Sequence, residues 1–193
     1  MILIIVGIVV VLLLWVVSIY NFFVASKARV RAAIQEIGNQ LKRQADLIPN
    51  LESSVKGFLK HEKGIIEELA NARKAIIAAA DSGNLQKMAD AGTKLSNVLP
   101  SLRVAVEDNP EIKGNEVVLN LMNELRDTSD KVMYARRLVI DLTADYNVKR
   151  VSFPASLIAS IFNFAELPGL ITAESGEHVQ VSQAELKTPK VNI

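Results

Sequence analysis

The sequence predicts an all-α protein, with one N-terminal transmembrane helix followed by an elongated antiparallel helical bundle. Three observations carry this. The first 26 residues hold no charge, and only Gly7, Ser18, Asn21 and Ser26 among them fall outside the apolar set. Beyond them, apolar residues recur every three or four positions over long stretches, which is the spacing of one helix face. The alternation at Val179-Gln180-Val181 is too short to make a strand.

The first element is the span. Ile2 to Ala25 is rich in Ile, Val and Leu, and as a helix it is about 36 Å long against a hydrocarbon core of about 30 Å. Tyr20, Phe22 and Phe23 near its end suit the headgroup boundary. A cleaved signal peptide is the rival reading. It normally carries a basic leader, whereas only Met1 precedes the run, although Val24-Ala25-Ser26 resembles a cleavage site. A buried core helix fits poorly, because the segment has no polar face to solvate. After the run come Lys27, Arg29, Arg31, Lys42 and Arg43 against a single acid, Glu36. By the positive-inside rule this basic collar places the large domain in the cytoplasm and the short N-terminus outside.

The second element is a long seam. Val30, Ile34, Ile37, Leu41, Gln44, Ile48, Leu51, Val55, Phe58, Glu62, Ile65, Leu69, Ala72, Ile76 and Ala79 step by four and three, all apolar except Gln44 and Glu62. That is a coiled-coil-like pattern. The phase does not change across Pro49, and Asp46-Leu47-Ile48-Pro49 lacks Gly, so the spacing favours a helix that continues through Pro49 with a kink. The rival is a turn with Pro49 opening a new helix. The bundle therefore has three long helices, or four if the chain turns at Pro49, plus a short C-terminal helix.

Asp81-Ser82-Gly83-Asn84 reads as a stop and restart, with Gly83 able to adopt a left-handed conformation and Asn84 a good N-cap. Leu85, Met88, Leu95, Val98, Leu99, Leu102 and Val106 form the next amphipathic stretch, interrupted by Pro100. Asp108-Asn109-Pro110 turns into another helix. Its seam, from Val118 through Leu125, Val132 and Val139 to Tyr146, is the most regular in the chain. Phe153-Pro154 introduces the short apolar segment Leu157 to Phe164, and from Glu166 the composition turns polar. These shifts divide the chain into an anchor (1–26), a bundle domain (27–165) and a loosely ordered polar tail (166–193).

Composition narrows the chemistry. The 193 residues carry 22 Lys+Arg against 21 Asp+Glu, no Cys and two His, with 50% hydrophobic residues and a mean hydropathy of +0.24. Without thiols there is no disulfide scaffold and no Cys-based zinc site. A net charge of +1 lacks the basic excess of a nucleic-acid binder. His61-Glu62 opens the H-E-x-x-H pattern of zinc proteases, but Ile65 stands where the second ligand belongs. Glu-x-x-His, the diiron bundle motif, is absent from the sequence, as are phosphate-binding and nucleophile-elbow loops. No catalytic residue, cofactor, metal or small-molecule substrate is expected.

The unusual words of the sequence line up with one family. Leu41-Lys42-Arg43, Asp46-Leu47-Ile48-Pro49-Asn50-Leu51, Val55-Lys56-Gly57, His61-Glu62, Ala72-Arg73, Glu107 with Pro110 and Lys113 to Asn115, Ala135-Arg136-Arg137, Tyr146-Asn147 and Phe153-Pro154 together resemble the LemA family, as does Tyr20-Asn21. Departures are Gln44 where Arg is common, Asn109 for Tyr, Gly114 for Ala, and Val139-Ile140 for Tyr-Asn. The resemblance implies a single-pass bacterial membrane protein with a cytoplasmic helical bundle. A relative in magnetosome-forming bacteria is associated with building that membrane organelle, which favours scaffolding over catalysis.

The expected function is a membrane-tethered scaffold or interaction module for other proteins or for its own copies. The motif residues Asp46, Pro49, Asn50, His61, Glu62, Arg73 and Arg136 are its interaction or structural candidates. Asp46, Pro49 and Asn50 equally suit shaping the kinked backbone, His61 a packing role, and Arg73 an internal ion pair. Lys27, Arg29 and Arg31 are candidate contacts for anionic headgroups, the basis of the alternative, a lipid-surface or membrane-remodelling binder. An enzyme with an unrecognised site is the third class.

Overall fold

The computed structural model describes residues 1–59 and 62–171. His61 and the tail from residue 172 lie outside them. Six helices follow in order: α1 (Ile2–Val55), α2 (Lys63–Ser82), α3 (Leu85–Asp108), α4 (Pro110–Lys113), α5 (Glu116–Val151) and α6 (Ala155–Ile161). No strand occurs among the described residues.

α1 is one helix of 54 residues, about 80 Å long, and it continues through Pro49. Its apolar seam from Val30 to Val55 is buried. The seam then keeps its phase into Leu69, Ala72, Ile76 and Ala79, but the helix does not. The chain reverses between Val55 and Lys63, so the single helix expected from Val30 to Ala79 is two, and the fourth long helix arises here rather than at Pro49. The turn signals are Gly57 and Gly64 within a polar run. Phe58 and Glu62, counted in the seam, are exposed at this corner.

Gly83 caps α2 with φ 60, a left-handed conformation that a side chain would strain, and the Asn84 side chain accepts from Lys87 N at 3.0 Å to open α3. α3 runs through Pro100 without a break. The expected helix after Asn109 comes in two pieces. Asn109 caps the single turn of α4, and Asn115 then caps α5 by accepting from Val117 N at 3.0 Å and Val118 N at 3.3 Å.

α1, α2, α3 and α5 form an up-down-up-down bundle. Phe23 meets Tyr146 while Gln44 meets Ser129, so α1 and α5 run antiparallel, and theirs is the most extensive helix pairing. α3 closes on them at Gly92, where a Cβ would lie 3.0 Å from Val132 and 3.7 Å from Leu41. A side chain there would press on the Val132 methyl, which would have to give way.

At the opposite end from the α1–α2 turn, a second apolar cluster joins Ile19 and Phe23 of α1, Tyr146 of α5, and Ala155, Ile158 and Ala159 of α6. Residues 166–171, which composition assigns to the tail, are held on the bundle. Tyr146 donates its hydroxyl to Ala165 O at 3.0 Å. The Asn147 side chain bonds both Leu167 O (2.9 Å) and Leu167 N (3.0 Å), and Ile171 N donates to Gln86 Oε1 at 3.1 Å. The segment reads Glu166-Leu167-Pro168-Gly169-Leu170-Ile171, and besides these backbone anchors Leu167 packs on the same apolar cluster.

Candidate interaction groove

Gly92 brings α3 close to α5 at one level, but elsewhere the pair touches sparingly compared with α1 and α5. Between them lies a cavity of about 420 Å³, open to the surface. Leu99, Pro100 and Val106 of α3 face Leu119, Met122 and Met133 of α5 across it. Its rim is charged with both signs: Arg103 pairs with Glu107 at 2.8 Å, and Arg126 and Asp130 stand on the other helix. Pro100 has no N–H, so Ser96 O on the same wall loses its ordinary helical donor.

Beneath the groove, Ser129 accepts from Gln44 Nε2 at 3.0 Å. Gln44 is completely buried, and its Oε1 has no partner among the described residues. One residue along, Arg43 is exposed and donates its Nε to Glu124 at 3.1 Å. That hydrogen bond first, and the negative charge of Glu124 second, hold the guanidinium proton more firmly than usual.

The motif residues occupy several places rather than one. Pro49 and Arg73 belong together: Pro49 cannot donate to Ala45 O four residues back, and Arg73 of α2 supplies the missing donor, its Nε bonding Ala45 O at 3.0 Å. Asp46 and Asn50 are exposed on α1, and Asn50 O accepts from Ser54 Oγ at 2.8 Å. Glu62 is the N-cap of α2 and its carbonyl accepts from Ile65 N at 3.2 Å. Arg136 is half-buried and donates Nη1 to Thr93 Oγ1 at 2.9 Å, tying α5 to α3. Lys27, Arg29 and Arg31 are exposed on α1 immediately beyond the buried Ser26. None of these residues lines the groove. Among the residues that do, Leu119, Met122 and Met133 are apolar side chains of α5 lying off its main seam, separated by Arg126, Ser129 and Asp130, so no continuous stripe in the sequence marks them.

No group of three or more His, Cys, Asp or Glu able to hold a metal occurs among the described residues. Among the described residues one helix, α1, is long and apolar enough to cross a membrane, and almost none of its apolar stretch is covered by the rest of the chain. Fold and site thus define an all-α bundle carried on an apolar N-terminal helix, with an open groove between two of its helices. The chain belongs to the LemA family, whose model matches residues 33–183. Comparison with curated proteins finds no match.

Proposed function

We propose that this LemA-family chain is a membrane-tethered interaction module. α1 holds it in a bilayer with the bundle in the cytoplasm, and the groove between α3 and α5 receives an amphipathic helix of a partner protein. The observation that carries this reading is the groove itself. Its surface is mostly apolar with Ser96, Asn123 and Ser129 interspersed, it is bordered by charges of both signs, and it contains the exposed Met133 and half-buried Met122, flexible thioethers that adapt to a helix laid against them. The orientation rests on the basic collar after the span. The reading asks no covalent chemistry of the groove, whose flanking Arg103 and Glu107 are exposed and neutralise each other.

The exposed Lys27, Arg29 and Arg31 favour an accessory contact with anionic headgroups, each worth about 1 kcal/mol near a charged surface. That reinforces the anchor without replacing the groove as the site of recognition.

In-cell photocrosslinking tests the proposal. A photoreactive side chain placed at Leu119 or Met133 is expected to give a discrete protein adduct, and one placed at the exposed Lys74 of α2 is not. The same adduct pattern from all three positions would refute the groove as the site.

A further inference from the structure

We propose that residues 151–165 form a second membrane-embedded element, a wedge whose outer face lies in the boundary between headgroups and acyl chains, beside the span. The proposal rests on the reading of α1 as a membrane anchor.

From Val151 to Ala165 the chain carries no charge. The charges that bracket this stretch, Arg150 and Glu166, meet at 2.8 Å and close its two ends on each other. Within it, α6 presents large apolar side chains on both sides, with Ser160 exposed and Ser156 half-buried as its polar residues. Ala155, Ile158 and Ala159 are buried on Ile19, Phe23 and Tyr146. On the other side Leu157 is 55% exposed, Ile161 69%, Phe162 47% and the neighbouring Phe153 81%. Apart from Ser160 and Asn163 the exposed side is apolar, whereas a helix bathed in water would carry charged and polar residues across it.

The level of α6 along α1 says what covers that face. Its contacts fall between Trp15 and Phe23, inside the uncharged run, and the first charged residue, Lys27, comes four residues (about 6 Å) beyond Phe23. α6 therefore lies on the bilayer side of the basic collar, and its exposed apolar face continues the exposed apolar surface of α1. Aromatic rings gather at this level as they do at membrane boundaries, with Tyr20 4.9 Å from Phe162 and Lys149 Nζ 5.8 Å above Phe22.

The backbone of the wedge also suits a medium poor in water. Ser156 N bonds Ser152 O at 2.8 Å, Phe162 N bonds Ile158 O at 3.0 Å, and Phe164 N bonds Ala159 O at 2.9 Å. Ala165 O takes the Tyr146 hydroxyl. These bonds satisfy part of the wedge's backbone within the chain, the kind of pairing that insertion demands. With α1 and the wedge both seated, the bundle meets the membrane at two points, which fixes its height and tilt.

The chain has no Cys, so single nitroxide labels can be introduced by Leu157→Cys and Ile161→Cys, both at exposed positions. Val9→Cys in the span and Arg137→Cys on the outer surface of α5 serve as references. The full chain is reconstituted into phosphatidylcholine–phosphatidylglycerol vesicles, and each label is relaxed by oxygen or by a water-soluble nickel chelate. For an element inserted 5–10 Å, the oxygen-to-nickel ratio at Leu157 and Ile161 should exceed that at Arg137 by about threefold or more. A ratio equal to that at Arg137 while Val9 remains in lipid would overturn the wedge and leave the anchor standing. Aqueous accessibility at Val9 as well would remove both. Shielding from both reagents, with spectral broadening that narrows on dilution with unlabelled chain, would assign the face to a second copy and also overturn the proposal.

Discussion

Phe23→Ala is expected to detach the C-terminal cap from α1 while leaving the main bundle folded. Phe23 is completely buried, stacks on Phe164 at 4.8 Å between ring centroids and meets Tyr146 edge-on at 5.4 Å. Truncating a buried Phe costs about 3–5 kcal/mol. Here the loss is local, because Phe23 belongs to the cluster of α6 and Tyr146, separate from the core that holds α2 and α3. The opening equilibrium of α6 and residues 162–167 should therefore rise by two to three orders of magnitude, since about 1.4 kcal/mol is tenfold. Hydrogen exchange read by mass spectrometry checks this. Protection should fall in α6 and stay unchanged in α2 and α3. Uniform loss across all helices would show one cooperative unit instead.

The second large effect is expected at Arg73. Arg73→Leu leaves Ala45 O on a buried residue with neither its helical donor, which Pro49 lacks, nor the guanidinium. An unsatisfied buried acceptor of this kind costs about 2 kcal/mol. Pro49→Ala restores a backbone N–H at that position, so in its background the same Arg73 substitution should cost less than half as much. Thermal unfolding of the four chains in detergent micelles gives the coupling directly, with about 1 kcal/mol or more expected. Equal costs in both backgrounds would mean that Arg73 does not act through the carbonyl that Pro49 orphans.

That pairing shows where sequence reading reaches and where it stops. The seam positions were legible, because each helix buries one stripe and a 3-4 spacing exposes it: Ile37, Leu41, Ile48, Leu125, Val132 and Val139 are all buried. So were the continuous helix at Pro49, the restart at Asn84 and the short helix after Pro154. The reversal after Val55 was not, because its length let the seam resume in phase on α2, and periodicity alone cannot distinguish one helix from two that keep register. Gly57 and Gly64 were the contrary signal.

The site was less legible than the fold. That Pro49 and Arg73 serve one carbonyl is a relation between two helices, with Arg73 and Ala45 28 residues apart, which no local pattern contains. The groove is likewise a property of spacing between α3 and α5. Met122 and Met133 differ from ordinary surface residues of α5 only when the opposing wall, with Leu99 and Pro100, is in place. The motif residues that stood out by rarity, Arg136 and Glu62 among them, bond to neighbouring helices or cap one, a role that rarity alone does not separate from partner recognition.

The central claim is that the groove between α3 and α5 holds a partner protein at the membrane. Native mass spectrometry of the chain, isolated from its own membranes with the surrounding lipid, tests it most directly. Met133 is 52% exposed, so Met133→Asp should leave the melting temperature of the bundle unchanged while placing a charge in the groove. A complex of fixed stoichiometry is expected for the unaltered chain and is expected to be lost in Met133→Asp. An identical complex in both chains, or the unaltered chain carrying lipid alone, would contradict it.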